Sequence, residues 1–350
     1  MRANNQLITK VQNRNTVLKQ IVRSGTTSRI ALSNYTGLTK MTITNIVNEL
    51  LSDNLICENM SYSNSDVGRN PIILSPKAGN HIIGLYISRD FIEVFVGDIS
   101  GRIYDNVKRK LTTGTVSTLL NKIYSTIDEV MGKYKKVLDI GVSSIGPVDS
   151  KEGIILKPAN FFGIQNLEIK KLLEDKYNLP VFVDDDMNTS ALAEKYWGEF
   201  SGDISDYIYV GAARGMGAGV VTGGKLNNCI CEIAHVSIDV NGKKCFCGNR
   251  GCLEMYTTIP HNFDGSTSDE ICRYISYGII TLMNIFNPQT IFLGHRIPLL
   301  GEDAPHKIKS FIADKYMART YNDVDIRFSK FGQESMKYGA IANFIENYEF

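Results

Sequence analysis

No run of 18 or more apolar residues occurs in this 350-residue chain, and no apolar N-terminal stretch leads into a cleavage site. The first absence speaks against a transmembrane helix and the second against a secretory leader. A cytoplasmic protein with no membrane partner is the expectation. Net charge is nearly absent as well: 38 basic against 37 acidic side chains leave +1. No global field therefore draws the chain to nucleic acid or membrane, and DNA contact would need a local basic patch. Seven cysteines are an odd number, which in a reducing compartment argues against a disulfide framework. Exact repeats and low-complexity tracts are also missing. What is there, 43% hydrophobic and 21% charged residues, is ordinary for a globular protein and long enough for two or three domains.

The first sixty residues carry helical spacing. "NTVLKQIVRSG" sets Val17, Leu18, Ile21 and Val22 on one face and stops at Gly25. "TTSRIALSNYTG" opens on a Ser/Thr cap signal and stops at Gly37. A third helix starts after Thr39, with Ile43, Ile46, Val47, Leu50 and Leu51 on one face and Lys40, Thr42, Thr44, Asn45 and Asn48 on the other. A short helix, a glycine turn and a second helix with a polar face match helix-turn-helix spacing. Two short strands around a polar loop, residues 55–76, then read as a wing. A three-helix bundle without a ligand fits the same pattern. Two features favour DNA: the Thr, Asn and Lys face suits phosphates and base edges, and residues 1–30 hold Arg2, Lys10, Arg14, Lys19, Arg23 and Arg29 with no acid. Arg29 and Arg69 join the polar face as candidate contacts.

From about residue 80 strands alternate with helices, which predicts an α/β domain in two similar lobes. "KKCFCGNRGCLEMY" puts Cys245, Cys247 and Cys252 into eight positions, seventeen residues or fewer after His235. Three thiolates and an imidazole are a donor set for structural zinc; buried reduced cysteines or a redox pair are the alternatives. Cys57, Cys229, Cys231 and Cys272 read as small hydrophobes. "VFVDDDMN" places Asp184, Asp185 and Asp186 at the end of an apolar strand, where α/β folds bind ligands and a carboxylate can accept a sugar hydroxyl; a solvated acidic turn is the lesser alternative. Glu232 and Glu254 flank the His/Cys set and would be drawn to it. "GMGAG", Gly215 to Gly219, would cradle a phosphate or simply allow tight strand pairing.

"CEIAHVSIDVNGKKCFCGNRGCLE" resembles the signature of the ROK family of repressors and sugar kinases; "LPVFVDDDMNTSALAEKYWG" before it and "IFNPQTIFLGH" after it stand in family order, and the N-terminal part, with "GRNP" (Gly68 to Pro71) just before the α/β domain, resembles the winged helix of the family's repressors. The resemblance implies an actin-like (sugar-kinase/RNase H-like) two-lobed α/β domain over residues 77–350, preceded by an α+β winged helix-turn-helix domain over residues 1–76. It implies zinc on His235, Cys245, Cys247 and Cys252, and sugar contacts from Asn160, Asp185, Asp186, Glu232, His235 and Glu254. Asp186 matches the position of the kinases' general base, and Asp185 stands where the family usually has Asn. Departures separate repressor from kinase. Where family kinases hold nucleotide phosphates with an aspartate, glycines and threonine, this chain reads Tyr86-Ile87-Ser88-Arg89-Asp90 and Ala213-Arg214-Gly215, and Gly294-His295 replaces a double glycine. The resemblance thus implies an inactive kinase-like domain in a sugar-responsive repressor, binding operator double-stranded DNA and a small sugar such as xylose, as a homodimer or homotetramer. The alternatives are an ATP-dependent sugar kinase, and a module that senses a sugar phosphate through Arg89 or Arg214. Only 32 residues separate Glu254 from Asn287, short for the family.

Overall fold

The computed structural model describes residues 2–60, 72–112, 114–159, 161–199, 204–228, 230–260, 262–313, 315–317 and 323–348. The helical spacing of the N-terminal stretch becomes α1 (Arg2–Ser24), α2 (Arg29–Thr36) and α3 (Lys40–Ser52). The expected caps are in place. The Ser28 side chain accepts from the Ala31 N–H, Thr39 accepts from Thr42, and Gly37 ends α2 at a φ of 71° that a side chain would resist. The first helix begins far earlier than the apolar face at Val17 suggests, and ahead of that face Lys10 pairs with Glu49 of α3 and Arg14 with Asp53 just beyond it. β1 (Ile56–Met60) and β2 (Ile72–Pro76) then pair antiparallel, Ile56 opposite Pro76.

Two sheets follow. The first uses β3 (His81–Ile87), β4 (Phe91–Asp98), β5 (Ile103–Lys110), then α4 (Val116–Met131), β6 (Val137–Ser144), the small hairpin β7 (Val148–Asp149) and β8 (Ile154–Ile155), α5 (Ile169–Tyr177) and β9 (Val181–Asp185). After α6 (Asp186–Trp197) the second uses β10 (Tyr207–Ala212), β11 (Met216–Thr222), β12 (Lys225–Leu226), α7 (Glu254–Thr257), α8 (Ser268–Phe286), β13 (Thr290–His295), α9 (Ala304–Ile312) and β14 (Asp325–Phe328). The last element is α10 (Ser335–Asn347). The spatial order is β5-β4-β3-β6-β9 in one sheet and β12-β11-β10-β13-β14 in the other. Both are the same topology: an antiparallel three-stranded meander, then two strands added parallel to its first. The two similar lobes expected from the strand rhythm are therefore present.

Two helices lie between the sheets. α10 packs on β3, β6 and β9, α6 packs on β10 and β11, and the two pack on each other. Gly217 and Gly219 of β11 make this possible. A Cβ at either would meet Met187 of α6 at 2.6 Å or less. These two glycines of the run therefore serve close helix–sheet packing, a role that neither the phosphate-cradle nor the strand-pairing reading named. One buried cluster joins Val17, Leu18 and Ile21 of α1 to Leu192, Tyr196, Ile341 and Phe344, so the N-terminal helices share apolar core with α6 and α10. Among the described residues no helix is long and apolar enough to cross a membrane.

Candidate functional site

The strand ends of both sheets face one cleft with a volume of about 1010 Å³. The first lobe brings the β3–β4 turn, Ser88 to Asp90, and the β9–α6 junction. The second brings the β10–β11 turn, Ala213 to Gly215, the end of β13 and the segment carrying His235 and Glu254. Asp185, Asp186, Glu232, His235 and Glu254 all line it, so the structure gathers every predicted sugar contact that it describes. Asn160 lies outside the described residues.

The three aspartates have three different tasks, and none forms a solvated turn. Asp184 is buried and its Oδ1 accepts from the Asp185 N–H at 2.8 Å and from Asn188 Nδ2 at 2.9 Å. Asp185 caps α6: its Oδ1 accepts from the Met187 and Asn188 N–H groups, both at 2.9 Å. Asp186 is buried at the cleft wall, with the Tyr86 hydroxyl donating to Oδ2 at 3.4 Å. Burial pushes the Asp186 carboxyl up to about 6, against the pull of the Arg89 guanidinium and the Tyr86 hydroxyl. It is mostly ionised at neutral pH and able to accept a hydroxyl. Burial, then the charge of Asp184, push Asp185 up as well.

His235, Cys245, Cys247 and Cys252 converge until their ligand atoms lie within 4.8 Å of one another. Nδ1 of His235 is 3.7 Å from the Cys245 sulfur, and the Cys247 and Cys252 sulfurs are 3.5 Å apart. Tetrahedral ligands about 2.3 Å from a zinc ion lie about 3.8 Å from one another, whereas disulfide sulfurs lie about 2.05 Å apart. The group fits a metal ion, and no disulfide links these cysteines. The imidazole faces two ways. With Nδ1 on the cysteines, Nε2 points to Glu254 at 3.7 Å and Glu232 at 3.8 Å. Cys57, Cys231 and Cys272 are partly or fully buried, as small hydrophobes should be; Cys229 lies outside the described residues.

The polar face of α3 is also on the surface. Lys40, Asn45 and Asn48 are exposed and Thr44 is half-buried, its hydroxyl donating to the Lys40 carbonyl. Thr42 is half-buried, with its hydroxyl 2.9 Å from that of the capping residue Thr39, so that hydroxyl is already engaged at the helix start. Sequence reasoning missed Met41, 70% exposed in the middle of this face; its apolar character hid it. The basic run of residues 1–30 needs correction, because it is not a patch of unopposed charge. Lys10 pairs with Glu49 at 2.7 Å, Arg14 with Asp53, Lys19 with Glu346 and Arg29 with Glu58 at 2.6 Å. The acids come from beyond residue 30, where a local charge count does not look. Arg69 and the rest of Gly68 to Pro71 lie outside the described residues.

Two duplicated lobes around a cleft, with two helices between the sheets, define an actin-like α/β protein whose cleft carries carboxylates beside a His/Cys group able to hold a metal ion. The model of the ROK family matches residues 82–258. The chain belongs to the ROK family. Among its relatives is a protein named xylose repressor from Caldicellulosiruptor bescii, 28% identical over 395 residues that span 98% of each chain. A solved ROK family transcriptional regulator, described as a homolog of the E. coli MLC protein, superposes with a TM-score of 0.80 at 23% identity, covering 97% of this chain and 96% of its own. A ROK glucokinase from Streptomyces griseus, solved with glucose and AMPPNP, superposes at 0.65 and 20% identity over 98% of its own length but 75% of this chain.

Proposed function

We propose that this chain is a sugar-responsive, DNA-binding transcriptional repressor of carbohydrate genes, and that its kinase-like cleft binds sugar without transferring phosphate. The observation that carries this reading is the end-to-end match to a protein named as a xylose repressor, while the glucokinase leaves a quarter of the chain without a counterpart. Residues 1–76 form the winged helix-turn-helix that binds operator double-stranded DNA. α3 enters the major groove with Lys40, Met41, Thr44, Asn45 and Asn48. Residues 77–350 bind the sugar, and the molecule acts as a homodimer so that two heads read a two-fold operator.

In the cleft, Asp186 and Glu254 accept sugar hydroxyls, and Nε2 of His235 is held toward the same place. His235, Cys245, Cys247 and Cys252 hold a structural zinc ion, which fixes the loop and supplies no bond-making chemistry. Phosphoryl transfer is disfavoured because both turns that face the cleft carry side chains where amides would have to approach phosphate. Asp90 of one turn and Arg214 of the other are joined across the lobes at 2.8 Å.

α6 connects this site to the head. Its first residue is Asp186, in the cleft. Near its other end Lys195 and Tyr196 bind the Glu346 carboxylate of α10 at 2.8 and 2.6 Å, and Lys19 of α1 donates to the Glu346 carbonyl at 2.7 Å. Burial alone would raise Glu346, yet the charges of Lys195 and Lys19 hold it below the usual carboxylate range. A sugar that prefers one lobe arrangement would move α6 and with it the head; equal affinity for both arrangements would shift nothing. The test is fluorescence anisotropy at fixed salt on DNA from upstream of the protein's own gene, with a panel of monosaccharides. One sugar releasing the DNA supports the reading. Sugar-dependent ATP consumption, or sugar binding that leaves DNA affinity unchanged, counts against it.

A further inference from the structure

We infer that the cavity between the N-terminal helices and the body is a second ligand site, one that holds a small multiply charged anion, a phosphate ester or a polycarboxylate. It is separate from the cleft and does not rest on the sugar-binding reading above.

The cavity has a volume of about 1100 Å³, room enough for a metabolite. α1 and α2 line it from the head; the β7–β8 hairpin, β9, α6, the β11–β12 turn and α10 line it from the body. Among the described residues it shares only Ile230 with the cleft. The helical period sets its polarity. Val17, Leu18, Ile21 and Val22 of α1 are buried in core. Thr16, Lys19, Gln20 and Arg23, spaced i, i+3, i+4 and i+7, form the neighbouring stripe and line the cavity. α10 lines it with Asn343, Glu346 and Asn347, at the same spacing. Head and body thus present polar stripes to one cavity, where apolar stripes would close it.

The wall is short of negative charge. Lys19, Arg23, Lys151, Lys170, Lys195 and Lys225 line it, against Asp149, Asp184 and Glu346. All three acids are already engaged. Asp149 Oδ1 accepts from the Glu152 N–H at 3.1 Å. Asp184 Oδ1 is taken by Asp185 and Asn188. Glu346 is held by Lys195 and Tyr196, with the Lys19 ammonium at 3.6 Å. Lys151, Lys170 and Lys225 have no ion-pair partner among the described residues.

A second observation is independent of this charge. Asn343 is 1% exposed, and its Oδ1 accepts from Asn347 Nδ2 at 2.6 Å. Its own Nδ2 has no partner among the described residues. A buried amide donor without an acceptor is costly, and an anion oxygen in the cavity supplies one. Burial also holds the Lys19 ammonium below its usual value; Glu346 restores part of that and Lys195 lowers it again. An anion there relieves the crowding of cations. It meets α1, α6 and α10 at once, so it fastens the head to the body.

The experiment is titration calorimetry on the full chain at fixed low salt with pyrophosphate and with citrate. One of them should bind one-to-one, pyrophosphate the tighter if the natural ligand is a phosphate ester and citrate if it is a polycarboxylate. Lys170→Gln with Lys225→Gln should weaken that binding at least tenfold; neither lysine has an ion pair to lose, and an unchanged Tm confirms the fold. Lys135→Gln with Lys136→Gln removes the same charge from exposed positions outside the cavity. It should leave affinity within about twofold, as should Arg89→Gln in the cleft. The bound anion should slow hydrogen exchange in residues 16–24 and 343–348. Heat with neither anion overturns the inference. So does binding that survives the Lys170 and Lys225 substitutions, equal loss in the Lys135 and Lys136 control, or loss in Arg89→Gln, which would put the anion in the cleft. A lower slope of log K against log salt on operator DNA in the Lys170 and Lys225 variant, with no anion bound by the wild type, would assign these lysines to DNA phosphates instead.

Discussion

The two lobes have one topology and two fates. Both open with a hairpin whose turn faces the cleft, and both add two parallel strands. Between β12 and α8 the second lobe carries the segment with the His/Cys group, Glu232 and Glu254; between β5 and β6 the first lobe carries, among the described residues, only α4. The first sheet packs on α10, whose Glu346 carries the contacts to the N-terminal helix, so the head rests on that side. A repeated sheet thus carries two different additions, the His/Cys segment on one lobe and the contacts to the N-terminal helices beside the other, while Asp186 of the first lobe lines the same cleft. Segments grafted on the sheets, rather than the sheets, decide what the molecule does.

The largest expected effect tests whether the His/Cys segment is private to the second lobe. Cys252→Ser should abolish bound metal by elemental analysis and destabilise that segment by more than about 4 kcal/mol. Hydrogen exchange should rise across 230–257 and stay unchanged in α4 and β3 to β6. Equal loosening of both lobes would break the comparison. Next is the junction. Glu346→Ala leaves Lys19 and Lys195 without their buried counter-charge and should cost about 3 kcal/mol in denaturant unfolding.

Asp186→Asn should weaken sugar binding by about 10- to 100-fold, the worth of one hydrogen bond to a charged group. The wild-type affinity should level off above about pH 7 and fall as Asp186 takes up its proton near pH 6. The variant should lack that fall. The same raised carboxyl favours the folded state as pH drops from about 6 toward about 4, where the unfolded chain also protonates, so lost binding in that window is not Asp186-driven unfolding. The smallest effect is in the head. Lys40→Ala should lower the slope of log K against log salt by about 0.9, while Asn48→Ala should leave the slope and relax base preference.

Much of this was legible in the sequence where the signal is local. Ser28, Thr39, Gly37 and the apolar periodicity of α2 and α3 report their own geometry, because caps and amphipathic faces are settled within one turn. The His/Cys set was legible because a metal needs four donors and three came within eight residues. The pairing of charges was not. Lys10, Arg14, Lys19 and Arg29 read as a basic patch until folding brings Glu49, Asp53, Glu346 and Glu58 to them, from 29 to 327 positions away. Asp185 as a helix cap, and Asp90 with Arg214 across the cleft, were hidden for the same reason: each depends on where an element starts or where two lobes meet. Met41 was missed because an exposed apolar residue reads as core.

The claim that matters most is that the cleft speaks to the head through α6 and Glu346. Operator affinity should be measured with and without the effector in the wild type and in Glu346→Gln, alongside effector affinity for each. The account predicts that Glu346→Gln still binds both DNA and effector but that neither alters the other. If the effector releases DNA from Glu346→Gln as fully as from the wild type, coupling runs elsewhere and the account is wrong.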